Sequence, residues 1–210
     1  YNLANGDTVT LTVHSNRDDF SDCIEKYGAI PAATEKTYTV EGLNEYVTDS
    51  DGLTDSVLVS LQNQAEDVLN AYIAKSWDSE CVTLKGMSYL GYYILTPKNK
   101  DNYGVSQDVI ILPYQVTSHN HFEDDKGQVY DADVSYYWYI AFRNVSKDAD
   151  GNIAGGLDDY YTANASFDVK TGLDDGWWEK YWSYDGYQTL DELYSNAVTR
   201  NVEDYNHQDN

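Results

Sequence analysis

Acidic side chains recur in adjacent pairs along this chain: Asp158-Asp159, Asp174-Asp175 and Asp191-Glu192. A glycosidase needs two carboxyls facing each other across a cleft at a set separation. Sequence neighbours do not supply that geometry, and 36 acids in 210 residues produce such pairs by chance. They read as solvated turn and cap residues, and no catalytic residue is assigned to them. Asp148, Asp150 and Asn152 around Gly151 form a second candidate, a weak calcium-ligating loop. Calcium takes several hard oxygens from a flexible loop, and an EF-hand puts Gly at position six and Glu at position twelve. Those positions hold Ile153 and Asp159, so the EF-hand pattern fails and a hairpin turn competes with the metal reading. His119 and His121 would share one strand face, two transition-metal ligands in need of a third. Exposed loop histidines are the simpler reading. No nucleophile elbow, phosphate-binding loop or dinucleotide motif occurs.

The sharpest candidate is aromatic: Trp177-Trp178-Glu179-Lys180-Tyr181-Trp182-Ser183-Tyr184. In a strand, Trp177 and Tyr181 face one way and Trp178, Trp182 and Tyr184 the other. In a helix, Trp178, Tyr181 and Trp182 share a face. Rings of this kind either close over a core or form a platform that stacks on sugars and peptide side chains. On the second reading Trp177, Trp178, Tyr181 and Trp182 bind ligand, joined by Tyr137 and Tyr139 on the outward face of a neighbouring strand.

The elements that must position these residues follow from periodicity. Leu58, Leu61, Ala65, Val68, Leu69, Tyr72 and Ile73 recur at helical spacing and predict an amphipathic helix over 54–77, capped by Thr54, Asp55 or Ser56. Strands follow over 84–96, 108–117, 133–145 and 160–169. In the third, Val134, Tyr136, Trp138, Ile140 and Phe142 face one way, and Tyr137, Tyr139 and Arg143 the other. Pro113 lacks an N–H and predicts an edge strand or a bulge. The connections are short and rich in Gly and Asp, which favours antiparallel pairing. Thr189-x-x-Glu192 is a capping box opening a last helix over 189–205. The outline is α+β: a curved antiparallel sheet with packing helices, NTF2-like or cystatin-like, over 46–210. Residues 1–45 form a smaller segment, with a strand at 7–13, a short helix ended by Gly28 and a strand at 36–41.

Composition excludes whole classes of partner. Thirteen bases against 36 acids give a net charge of -23, which is wrong for nucleic acid or an anionic lipid surface. No run of about 18 apolar residues suggests a membrane span. The 21 tyrosines give strands an apolar body with a wet tip. Cys23 and Cys81 are two buried thiols or one bridge between the segments; spacing does not decide. The chain opens Tyr1-Asn2-Leu3, which reads as an excised fragment.

The N-terminal segment carries a resemblance. Leu3-Ala4-Asn5-Gly6-Asp7-Thr8-Val9-Thr10-Leu11-Thr12-Val13, Lys26-Tyr27-Gly28-Ala29-Ile30-Pro31 and Lys36-Thr37-Tyr38-Thr39-Val40-Glu41-Gly42-Leu43 resemble a repeat of membrane-anchored zinc-ribbon surface proteins of Gram-positive bacteria. The teicoplanin-resistance-associated proteins belong to that group. The resemblance covers residues 3–43 and implies an extracellular location, an anchor upstream, and a following domain similar to the NTF2-like fold. It implies no catalytic residues.

Three readings result. The first is a non-enzymatic extracellular module, a spacer or a binder of a cell-envelope polymer, a glycan or a protein, without membrane contact of its own. The second is an NTF2-like enzyme or small-ligand domain with a pocket between helix and sheet. The third is a calcium-stabilised adhesin, calcium being the one cofactor considered.

Overall fold

The structure, a computed structural model, describes residues 3–17, 19–102, 107–174 and 179–210. Its internal contacts divide the chain into two units, Tyr1–Asn44 and Glu45–Asn210.

The first unit pairs β1 (Thr8–Thr12) with β2 (Glu35–Thr39) antiparallel, Thr8 opposite Thr39. Between them α1 (Ser21–Tyr27) ends at Gly28, whose left-handed φ of 73° suits a residue without Cβ. The Asn5 side chain clasps the Leu43 backbone through both its N–H and its carbonyl, each at 2.9 Å. No described residue of this unit is buried, so its backbone pairing stands without a core of its own.

The second unit is α+β and mostly antiparallel. It begins with β3 (Glu45–Tyr46) and α2 (Asp55–Ser76). Thr54 caps α2 by accepting from the Val57 N–H at 3.2 Å, as a Thr at that position is expected to do. Then come β4 (Val82–Tyr89), β5 (Tyr93–Pro97), β6 (Val109–Glu123) and β7 (Val129–Arg143). β8 (Ser146–Lys147), β9 (Ile153–Gly155) and β10 (Tyr160–Thr162) are short. β11 (Ser166–Asp174) and β12 (Glu179–Asp185) form their own antiparallel pair. The chain ends with α3 (Leu190–Ala197), one 3₁₀ turn at Thr199–Asn201 and β13 (Tyr205–Asp209).

The main sheet runs β10-β7-β6-β5-β13, and β4 continues along the edge of β6 beyond β5. β3, β8 and β9 make a small separate sheet beside the start of α2. Val57, Leu61, Ala65 and Leu69 of α2 share one core with Ile110, Leu112 and Val116 of β6 and with Tyr136, Ile140 and Phe142 of β7. The opposite face of β7 meets α3 through Tyr139 and Arg143, which share a recess with Asn196 and Ala197. Helices on both faces explain why Val109 to Tyr114 are buried without alternation.

Three expectations are corrected. The helix expected over 189–205 stops at Ala197, where the Asn201 amide donates to the Ala197 carbonyl at 2.8 Å. The residues after the 3₁₀ turn instead satisfy their backbone by pairing with β5, Tyr205 opposite Pro97. Pro113 lies in a central strand, not at an edge. Its neighbours on that side change there, because β5 pairs as far as Ile111 and β4 takes over at Tyr114. A missing N–H at the handover costs no ladder bond. The strand expected over 84–96 is broken for the same reason. Gly91 turns at φ 116° and passes so close to Asn210 that a Cβ would sit 2.6 Å from its carbonyl oxygen.

Candidate functional site

The inner face of β12 carries Trp182 and Tyr184, and both pack inward. Tyr184 is fully buried, 4.8 Å from the ring of Tyr136 and 5.7 Å from that of Trp77. Its hydroxyl donates to Asn120 Oδ1 at 2.6 Å and lies 2.6 Å from Ser118 Oγ. Trp182 lies 6.0 Å from Phe122, its indole nitrogen buried without a hydrogen-bond partner among the described residues. On the other face Tyr181 is 62% exposed and borders an open depression with Asp168, Lys170 and Glu179. Trp177 and Trp178 lie outside the described residues.

Tyr137 is half-buried, its backbone bridged to Tyr187 in both directions at 2.8 Å. Tyr139 faces α3 and is only 5% exposed. Neither stands on an open outer face. α3 and the Tyr187 segment cover that side of β7, and nothing local in the sequence announces that cover.

Asp148, Asp150 and Asn152 form the turn between β8 and β9. Asp148 Oδ1 accepts from the backbone N–H groups of Asp150 at 3.0 Å and Asn152 at 2.9 Å. Asn152 Oδ1 accepts from Ser56 Oγ at 3.1 Å, and Thr54 Oγ1 donates to the Gly151 carbonyl at 2.6 Å. These atoms close the turn and moor it to the first residues of α2. Among the described residues no group of three or more His, Cys, Asp or Glu is placed to hold a metal ion. His119 and His121 stand on β6, on an outward face, not in a loop. Their ring nitrogens meet Asp133 at 3.0 Å and Asp131 at 2.8 Å. Lys85 joins that row at 2.6 Å from Asp133 and, with His119, holds the Asp133 carboxyl below its ordinary range. Cys23 and Cys81 are both free thiols.

Two recesses flank α3. One, about 390 Å³, has Tyr139, Arg143 and Tyr161 from the sheet side, with Asn164, Asn196 and Asn201 around them. The other, about 480 Å³, runs past Phe167, Gly186 and Gln188 to Asp191 and Arg200. Asn196 borders both. Arg143 is fixed twice: its guanidinium lies 4.6 Å from the centre of the Tyr161 ring and 3.1 Å from Asp159 Oδ1. The start of α3 is fixed by its capping box, in which Thr189 accepts from the Glu192 N–H and the Glu192 carboxylate accepts from the Thr189 N–H, both at 3.2 Å. Burial pushes the phenols of Tyr139, Tyr161 and Tyr187 up, so they remain hydrogen-bond donors at neutral pH.

This arrangement can stack and hydrogen-bond. Among the described residues the resolved shifts raise phenols and the Cys81 thiol and lower Asp19, Asp22 and Asp133. Sequence reading reached Tyr139 but not Arg143, Asn164, Asn196 or Asn201 as site residues. One signal was available: the chain has three arginines, Arg17, Arg143 and Arg200, and the two in the second unit both border these recesses. Comparison with family models, curated proteins and solved structures found no match for this chain.

Proposed function

We propose that Glu45–Asn210 is a non-enzymatic, extracellular binding module of a membrane-anchored bacterial surface protein, NTF2-like in fold, which holds a neutral or weakly anionic glycan of the cell envelope along α3. The observation that carries the reading is the convergence of Arg143, Asn164, Asn196 and Asn201 with Tyr139 and Tyr161 around one recess. A sugar offers adjacent hydroxyls and an apolar ring face. Amide and guanidinium groups donate in pairs to the first, and the Tyr139 and Tyr161 side chains give the recess an aromatic wall for the second. The net charge of -23 disfavours a polyanion. The extracellular and bacterial parts of the reading rest on the resemblance of residues 3–43. The fold likeness rests on a long helix lying against an antiparallel sheet.

A glycan array followed by cell-wall pull-down tests this. Asn164→Ala and Asn196→Ala are expected to lower binding by about tenfold each, the worth of a lost hydrogen bond with its partner stranded. Tyr181→Ala, on the β11–β12 pair, is expected to leave it unchanged. Binding that survives both asparagine changes and falls with Tyr181→Ala would move the site to the hairpin.

A further inference from the structure

We propose that a cavity between α2 and the β7–β10 edge is a binding site for a small quaternary ammonium group, of the size of choline. The cavity is about 220 Å³ and is lined by Val68 and Tyr72 of α2, Trp138 of β7, Tyr160 and Thr162 of β10, and Asp185 at the end of β12. Three aromatic side chains and one carboxylate therefore meet in a space too small for an oligosaccharide. The face of an aromatic ring is electron-rich, and it attracts a cation most where water is displaced. A quaternary ammonium group has no N–H to donate, so rings and one counter-charge satisfy it where a cage of carbonyls is not needed.

The charges nearby agree. Asp185 forms no ion pair among the described residues, so its carboxylate is not already matched by a lysine or arginine. Tyr72 sits beside it: burial first, and then hydrogen bonding with Asp185, push the Tyr72 phenol up. Tyr136 lies within electrostatic reach of both, fully buried, and its hydroxyl has no partner among the described residues. The corner thus holds one carboxylate and no basic side chain, on a chain whose net charge of -23 draws cations toward it. Unlike the recesses along α3, this cavity contains no arginine and no asparagine. The two sites differ in chemistry, and this one stands independently of the glycan reading.

The test is calorimetric titration of the full chain with choline chloride, and with 3,3-dimethyl-1-butanol, its neutral carbon counterpart. Choline is expected to bind at least about tenfold more tightly, since the shapes match and only the charge differs. Asp185→Asn keeps the shape of an exposed side chain and is expected to remove most of that preference. Tyr160→Leu, at a ring already 37% exposed, is expected to weaken choline about fivefold with the fold retained. A second arm separates sources. Binding to phosphatidylcholine vesicles assigns the cation to a lipid headgroup, and binding to choline alone assigns it to a soluble ligand; either supports the cage. Equal affinity for choline and dimethylbutanol overturns the proposal, as does choline affinity untouched by both substitutions.

Discussion

Tyr184→Phe is the most informative single change in the core. The ring stays, and so do its contacts with Tyr136, Phe167 and Trp77. Only the hydroxyl is lost. Asn120 Oδ1 then has no donor, and Ser118 loses its short contact and keeps only two long ones, donating to the Val134 carbonyl and accepting from Asn120 Nδ2, each at 3.4 Å. Both residues are fully buried. A stranded buried polar group costs about 1–3 kcal/mol, so one full loss and one partial loss add to about 2–3 kcal/mol. Tyr136→Phe is the matched control. Its hydroxyl is equally buried but unpartnered, so deleting it is expected to be neutral or to stabilise by up to about 1 kcal/mol. Urea unfolding followed by tryptophan fluorescence reads this unit alone, because all five tryptophans (Trp77, Trp138, Trp177, Trp178 and Trp182) lie in it. With a urea slope of about 2 kcal/mol per M, the Tyr184→Phe midpoint falls by about 1–1.5 M. If the two substitutions give equal midpoints, the Ser118–Tyr184–Asn120 network does not hold the far end of the sheet.

Two further perturbations read other parts of the construction. Burial raises the phenols of Tyr114, Tyr136, Tyr139 and Tyr184, and that of Tyr89 to about 12. Raised folded values mean that the stability they carry is intact below pH 10, the unfolded value, and lost as pH climbs toward the folded ones. Each phenol that ionises only in the unfolded chain costs about 1.4 kcal/mol per pH unit. The urea midpoint should therefore be level from pH 8 to 9.5 and fall steeply by pH 11; a level midpoint at pH 11 would refute the burial of these rings. Gly186→Ala places a methyl 2.6 Å from the Tyr137 carbonyl oxygen and 2.8 Å from the Tyr136 ring, at φ 151°, and is expected to cost about 2–4 kcal/mol. Gly172→Ala, at φ 71° with open space around it, should cost only about 1 kcal/mol, which separates clash from backbone strain.

What was legible in the sequence was whatever local chemistry decides. Thr54, the helical recurrence of Leu61, Ala65 and Leu69, and the alternation through Tyr136, Trp138 and Ile140 each specify an element without outside help. The Thr189–Glu192 box did the same for the start of α3. The end of α3 was not legible, because Val202 and Tyr205 continue a helical stripe whose fate is settled by the open edge of β5. Pro113 misled for a like reason: a missing N–H matters only where a partner needs it, and the partner changes at that residue. The recesses were the least legible. Arg143, Asn164, Asn196 and Asn201 are ordinary polar residues in sequence, and only the packing of α3 on β7 gathers them.

The tyrosine excess takes its meaning from that packing. A phenylalanine in place of each buried tyrosine would fill the same space, so the hydroxyls need a separate account. Tyr184 uses its hydroxyl to bind β6 to the β11–β12 pair, through Ser118 and Asn120. Tyr136, Tyr114, Tyr89 and Tyr187 do not use theirs among the described residues. Burying an unpaired hydroxyl is a cost that core packing alone does not select. Tyr187 borders a recess along α3, and Tyr136 stands beside the Tyr72–Asp185 corner. β10 separates the two regions: Thr162 lines the cavity on the α2 face and the recess on the α3 face. Because β10 is only three residues long, the β7 edge beyond it is paired instead by Ala163 and by Tyr187, and the chain crosses there through Gly186 to reach α3. The short strand has the aromatic cavity on one face and the amide-lined recess on the other.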